Sequence, residues 1–345
     1  MKIETGIIVA VFLLAKAGTA QDTSLTPVGR GQHAACFDNE RHLMLVFGGA
    51  QHGGSAARQA VDNSLWGWNS NGWKLLSRTG PSAREDVKMG FHDADRVAYM
   101  YGGRTYDSSG KPQVMDDLWS WDGKTWKLLA AHAQPGKRIH ANMAYDKLRN
   151  TIVLFGGAMF EGEFTNDLWE WHAGKWKKID FSDGPAPRLA HAQTYSSALK
   201  RTLIIGGINN KGETLHDVWA WDGKEFELLD NNVPAVEVGQ GNAVSIDENN
   251  AVKLLLCGRP AAMAEVKRMK GNDYVNGSWL WNGKNWTKVS SVLSPSLREL
   301  HMLLYDQKNK QAILFGGSGR QESAFASPND TWLYKKGKWK PAYVK

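Results

Sequence analysis

The sequence predicts an all-β chain of six repeated units, each a four-stranded antiparallel sheet, set radially as the blades of a propeller. Three observations carry this. An aromatic triplet recurs at a period of about fifty residues: Trp66, Trp68, Trp73; Trp119, Trp121, Trp126; Trp169, Trp171, Trp176; Trp219, Trp221, Phe226; Trp279, Trp281, Trp286; Trp332, Tyr334, Trp339. These triplets hold all 16 Trp of the chain, so Trp is a repeat-unit residue. An apolar run ending in Gly-Gly precedes the triplets, as in Thr151-Ile-Val-Leu-Phe155 before Gly156-Gly157. Helical periodicity is absent after the first twenty residues, except in 261–270, where a single helix inside a loop is expected.

Each unit is phased from Arg30, Arg84, Arg138, Arg188, Gly239 or Arg298. Strand A follows, around His33 to Phe37 in the first unit. Strand B is the apolar run, rich in strand formers, that ends at Gly-Gly. Strand C is the Leu-Trp-x-Trp segment, whose period-two alternation puts both indoles on one face. Strand D begins at the third aromatic. The C–D links are tight hairpin turns, such as Asp122-Gly123, Asp222-Gly223, Asn282-Gly283 and Lys336-Gly337. The predicted blades run about 30–83, 84–137, 138–187, 188–238, 239–297 and 298–345, with 21–29 as a lead-in. The ring must close blade six onto blade one, with residues 22–29 expected to add to an outer edge.

An apolar strand ending in Gly-Gly, then spaced aromatics, then Pro-x-Arg toward the next unit (Pro187-Arg188, Pro135 before Arg138, Pro295 before Arg298) resembles the kelch repeat. The resemblance covers about residues 30–345 and implies a six-bladed kelch β-propeller, akin to the galactose oxidase central domain and to the N-acetylneuraminate epimerases. The fifth unit departs most, with Gly239 for Arg and Cys257 for the first Gly. The resemblance fixes fold, while function must come from the site. Galactose oxidases hold copper with His and Tyr ligands and a Cys–Tyr crosslink near the axis. Cys36 and Cys257 have no matching Tyr with paired His, so no metal and no cofactor is expected. The N-acetylneuraminate epimerases are closer in plan, being exported six-bladed kelch proteins that act on an anionic sugar.

The chain is 345 residues with a formal net charge of +7. Its Lys and Arg are scattered among acids, which argues against a nucleic-acid arm. Lys2, the apolar run from Gly6 to Ala15 and the small residues up to Ala20 read as a secretory signal peptide, with cleavage expected after Ala20. A secreted or periplasmic location follows, with no membrane span after cleavage. Cys36 and Cys257 fall two blades apart and are expected to stay unlinked, and the chain is expected to be a monomer.

In an A-B-C-D meander the B–C and D–A connections lie on one face. The B–C connections 50–61, 104–115, 158–165, 208–215, 259–275 and 318–329 are long and dissimilar, whereas the turns of the other face are short. A ligand mouth is therefore expected where they meet the phased arginines. Two readings of those arginines stand: pairing with acids or carbonyls of the next blade, or facing a ligand. On the second, Arg30, Arg84, Arg104, Arg138, Arg188 and Arg298 join the loop aromatics Tyr106, Phe160, Phe164, Tyr274 and Phe325 as ligand-binding residues. Nine mouth arginines, with Arg58, Arg259 and Arg320 added, outnumber Glu85, Asp86, Glu161, Glu163, Glu299 and Glu322, so a net-positive mouth and an anionic ligand are expected. The repeat indoles read as packing, Gly-Gly as a backbone requirement, and the Asp before strand C (Asp117, Asp167, Asp217, Asp330) as a turn cap. His33, His191 and His301 share one strand-A slot and read as inner-strand residues. The sequence favours a binding propeller for a carbohydrate or protein ligand over an enzyme. The alternative is a sialic-acid mutarotase-like activity, for which Glu85, Asp86 and Glu299 are the acid–base candidates, or a sugar oxidase.

Overall fold

A computed structural model describes residues 26–51, 61–160, 162–234, 243–247, 251–258, 277–321 and 324–342. The expected signal segment, residues 261–270, Arg58, Glu161, Gly239, Arg259, Tyr274 and Glu322 lie outside them.

The six triplets each mark one blade, and every blade is a four-stranded antiparallel meander in the order A-B-C-D. Blade one is Ala34–Asp38, Leu43–Phe47, Leu65–Asn69 and Gly72–Ser77; blade two is Lys88–His92, Val97–Tyr106, Pro112–Trp121 and Trp126–Ala130. Blade three is Asn142–Asp146, Thr151–Phe155, Leu168–His172 and Lys175–Ile179; blade four is Ala192–Ser196, Arg201–Ile205, Val218–Trp221 and Phe226–Asp230. Blade five is Ala243–Ser245, Leu254–Gly258, Gly277–Trp281 and Trp286–Lys288; blade six is Met302–Asp306, Gln311–Phe315, Thr331–Lys335 and Lys338–Pro341. Among the described residues there is no helix.

The core is divided among the blade interfaces, because each sheet buries one face on each neighbour. The first interface packs Ala34, Leu45 and Phe47 on Met89, Phe91 and Trp121. Equivalent clusters join blades two to three, three to four, four to five and five to six. A sixth joins blade six to blade one, with Ile313 and Phe315 against Val46, Trp66 and Trp68. Among the described residues the ring therefore closes by packing, with no strand shared between the terminal blades. Described residues 26–29 form no strand, so the expected addition to an outer edge is not found there.

The repeat aromatics pack as expected. The second of each triplet is buried, and the third packs edge-on or tilted against a ring of the preceding blade: Trp126 against Phe47, Trp176 against Tyr101, Phe226 against Phe155 and Trp73 against Phe315. The second glycine of each pair sits with positive φ against the segment that leads into strand A of its own blade. At Gly207 φ is 100° and a Cβ would lie 2.8 Å from the Leu189 carbonyl oxygen, so only glycine fits. Its counterparts also tie blades together: the Gly49, Gly157 and Gly317 N–H groups donate to the carbonyls of Arg84, Arg188 and Arg30.

Several B–C connections are more regular than the expected loops. In blade two the ladder runs on past Gly-Gly, pairing Arg104 with Val114 and Tyr106 with Pro112, because Thr, Tyr and Val there favour an extended chain. Short ladders join Arg138–Ile139 to Ala158–Met159, Arg188–Leu189 to Ile208–Asn209, and Gly319–Gln321 to Ala324–Ala326.

Candidate functional site: the rim of the axial channel

The six inner strands surround an axial cavity of about 330 Å³, lined at one end by His33, Lys88, Asn142 and Gln193 and at the other by Asn39, Asp93, Lys147 and Gln307. The D–A connections enter at the first end and form a rim. Two residues after each phased Arg the chain adopts a left-handed conformation: Gln32, Asp86, His140, Ala190 and Leu300 have φ between 53° and 57°. These residues are linked from blade to blade. The Gln32 N–H donates to the Leu300 carbonyl (3.2 Å), the Asp86 N–H to the Gln32 carbonyl (2.7 Å) and the Ala190 N–H to the His140 carbonyl (2.9 Å). Between blades two and three a side chain makes the link, the His140 N–H donating to Asp86 Oδ2 at 2.7 Å.

The phased arginines are not on this rim. Arg30, Arg84, Arg138, Arg188 and Arg298 are all buried, at 0–3% exposure, which removes them from the surface a ligand can reach. Each guanidinium closes a clasp within its own blade rather than reaching to the next. Arg188 donates to the Gly206 carbonyl (2.9 Å) and, through two nitrogens, to both oxygens of Asp217 (2.6 and 2.8 Å). The same Asp accepts the indole N–H of Trp219 at 2.9 Å. Arg84 with Asp117, Arg138 with Asp167 and Arg298 with Asp330 repeat the arrangement, each Asp again taking a Trp indole. In blade one Arg30 meets Asp62, and the Trp66 indole turns to Ser64. The Asp before strand C is thus a clasp residue and not only a turn cap. The sequence alone did not join it to an Arg about thirty residues earlier.

Blade two is built differently at the rim. Glu85 is buried, and its Oε1 accepts from Arg104 (2.5 and 3.1 Å) and from the Tyr106 hydroxyl (2.6 Å). Its Oε2 is buried with no hydrogen-bond partner among the described residues, so Arg104 and Tyr106 alone fix the carboxylate. Asp86, next in sequence, is also buried and receives the Lys88 ammonium at 2.6 Å, with His140 Nδ1 3.4 Å away. Burial alone would raise the Asp86 carboxyl, but His140 and Lys88 outweigh it and hold it far below the ordinary carboxylate range. Burial draws the Lys88 ammonium down against the pull of Asp86. Burial would also lower the Arg104 guanidinium, yet Glu85 raises it, and burial with the Glu85 hydrogen bond pushes the Tyr106 hydroxyl up to about 12. Glu85 and Asp86 therefore act as anchors.

What they anchor is partly open: the His140 side chain is 22% exposed and that of Arg104 21%. Of the expected aromatics, Tyr106 joins this cluster, Phe160 is exposed at the turn of the blade-three ladder and Phe164 is half-buried beside it. Phe325 lies on Ala324–Ala326, in register with Arg320. Glu299 pairs through its backbone with Ser318 in blade six, two blades round the ring from Glu85. His33, His191 and His301 are buried, and burial draws each imidazole down to about 3. Among the described residues no His, Cys, Asp and Glu group has the arrangement of a metal site.

No protein-family model matches the chain, and no curated protein matches it. Among solved structures, one titled "Structure of YjhT" matches with a TM-score of 0.64 at 16% identity, covering 92% of this chain and 98% of that one. At that identity the likeness speaks for fold alone, and it agrees with the six-bladed propeller.

Proposed function

We propose that the chain is a binding propeller of an exported protein, and that its ligand is an uncharged carbohydrate held at the rim over blades two and three. One observation carries this. Two adjacent buried carboxylates, Glu85 and Asp86, hold four polar side chains in place at the mouth. The same two backbone positions are Leu189 and Ala190 in blade four, which closes equally well. Polar groups locked by their own supporting shell are what a selective site requires. The charge balance indicates the ligand class. The five ring arginines are paired inside blades, and the two cations nearest the rim, Lys88 and Arg104, each face an acid. Hydroxyl groups fit such paired donors and acceptors better than a further charge does. Tyr106 adds an aromatic face for the C–H side of a sugar.

The test is calorimetric titration with a panel of neutral, amino and carboxylated sugars. Wild type should bind a neutral sugar, and His140→Ala and Arg104→Ala should each weaken it at least tenfold, or about 1.4 kcal/mol. Lys124→Ala, on the opposite face, should not. Folded rim variants that bind as wild type does would remove the rim from consideration.

A second reading, proton transfer on an anionic sugar, keeps one observation: the Asp86 carboxylate beside His140 Nδ1 is how a base is oriented. Tighter binding of the carboxylated sugars in the same titration would favour it.

A further inference from the structure

Along the chain lysines are interspersed with acids, but the fold gathers five of them at one place on the face opposite the rim. In blade six the A–B turn is Gln307-Lys308-Asn309-Lys310, and Lys336-Gly337 joins Thr331–Lys335 to Lys338–Pro341. Gln307 lines the far end of the axial cavity, which places both turns on that face. Strands B and C are paired neighbours about 4.8 Å apart, so the two turns lie side by side. Lys308, Lys310, Lys335, Lys336 and Lys338 are all exposed, and among the described residues none of them is in an ion pair. Neither turn contains an acid. Asp306, just before the first turn, is buried and accepts from Asn309. The A–B turn of adjacent blade five carries one acid, Glu248, outside the described residues; one carboxylate against five ammonium groups leaves an excess of four. In other blades acids accompany the bases. Blade two has Asp93, Asp95 and Asp122 with Arg96 and Lys124, and blade four has Asp222 and Glu225 with Lys200 and Lys224. In blade three Arg149 is taken by Asp146 and Glu170.

The turn geometry does not call for these lysines. Blade three makes the same two-residue turn with Ala173-Gly174, at φ of 48° and 77° against 50° and 80° for Lys336-Gly337. A residue other than Gly is uncommon at such a φ, and Lys335 faces Lys338 directly across the ladder, where like charges oppose pairing. Charge set where it works against its own hairpin is charge that an anionic partner relieves. We infer that these two turns bind an acidic polysaccharide, a chain of carboxylated or sulfated sugars lying along blade six. This second site is separate from the rim and goes beyond the reading above. Lysine is a flexible point charge, suited to anions spaced along a chain rather than to one planar group. An anionic membrane is a plane, and seating it on blade six would bring it toward Asp93, Asp95 and Asp122 on the same face; a narrow chain crosses one blade and avoids them. Single-stranded nucleic acid is held by aromatic stacking as well as by charge, and neither turn has an aromatic residue. The proposed export of the chain favours a polysaccharide over duplex nucleic acid.

The test is binding of polygalacturonate and dextran sulfate to the full chain at low salt, with neutral dextran, duplex DNA and phosphatidylglycerol vesicles alongside. At least one acidic polysaccharide should bind and neutral dextran should not. The affinity should fall roughly tenfold or more between about 50 and 200 mM salt, as counterion release requires. Lys335→Gln, Lys336→Asn and Lys338→Gln together should weaken binding roughly tenfold. They should not lower the unfolding temperature, because the facing like charges are removed. Lys308→Gln with Lys310→Asn, in the other turn, should weaken binding too and tests the same surface independently. Lys124→Gln, Lys175→Gln and Lys224→Gln together lower the net charge as much on the same face, and should cost far less because they lie in other blades. Equal losses in the two triple variants would reduce the effect to net charge and overturn the site. So would binding of neither polysaccharide, or tighter binding of duplex DNA or of the vesicles. The rim reading stands or falls separately, on the sugar titration above.

Discussion

At Asp86 one carboxylate is both part of the scaffold and part of the site. One oxygen accepts the His140 N–H in a link that other blades make with a carbonyl, and the other holds Lys88 at 2.6 Å. The three strand-A histidines have no such exposed role. His33 and His191 lie edge-on to Phe315 and Phe155 of the preceding blade, and all three are kept neutral by burial. Their folded pKa of about 3 lies below the unfolded value of 6.5, so between those values the unfolded chain binds more protons. The stability they contribute is complete above about pH 6.5 and falls with acidification toward pH 3, each imidazole adding up to ~1.4 kcal/mol per pH unit to the slope. Denaturant unfolding across that range should show the slope, and His191→Gln should reduce it. An unchanged slope in that variant would place the acid sensitivity elsewhere.

At the level of the blade, the recurring device is the clasp of Arg, Gly carbonyl, Asp and Trp indole. It fixes the start of strand A to the end of strand B and the start of strand C, which turns a meander into a rigid wedge. Breaking a buried ion pair from one side leaves an uncompensated charge and costs about 3–5 kcal/mol. Arg188→Ala should therefore lower unfolding stability by about that amount, while the folded fraction keeps its ligand affinity. Blade four supplies neither of the carboxylate anchors nor the side chains they hold, so stability and binding separate there. A folded Arg188→Ala protein with unchanged stability would show that the clasp is incidental.

Across the whole ring, stability rests on six interfaces made in the same way. The seam between the terminal blades has the same parts as the others: Trp73 packs tilted against Phe315 with ring centroids 4.5 Å apart, and the Gly317 N–H reaches the Arg30 carbonyl at 2.8 Å. If the seam is an ordinary interface, Phe315→Ala and its counterpart Phe155→Ala should cost alike, about 3–5 kcal/mol each. Chemical denaturation of both variants tests this. A much smaller cost at Phe315 would mean that the ring opens at its seam before it unfolds. Cys36 and Cys257 form no disulfide, and they pack in different interfaces.

The sequence by itself determined the repeat, the number of blades, the four strands and the packing role of the indoles. Those features follow from local rules: period-two alternation, tight-turn residues and a fixed spacing between aromatics. It also placed Glu85, Asp86, Arg104 and Tyr106 among the candidates, because irregular residues stand out against a regular repeat. Only the tertiary structure decided what the phased arginines do. Arg188 and Asp217 are 29 residues apart, and nothing local shows that the chain brings them within 2.6 Å and buries both groups' contact. The tertiary structure alone also brought His140 to Asp86, 54 residues earlier, and set five unlike residues on one rim. A site made between blades depends on which repeats are neighbours in space and on how each one turns, and that is fixed only when the ring closes.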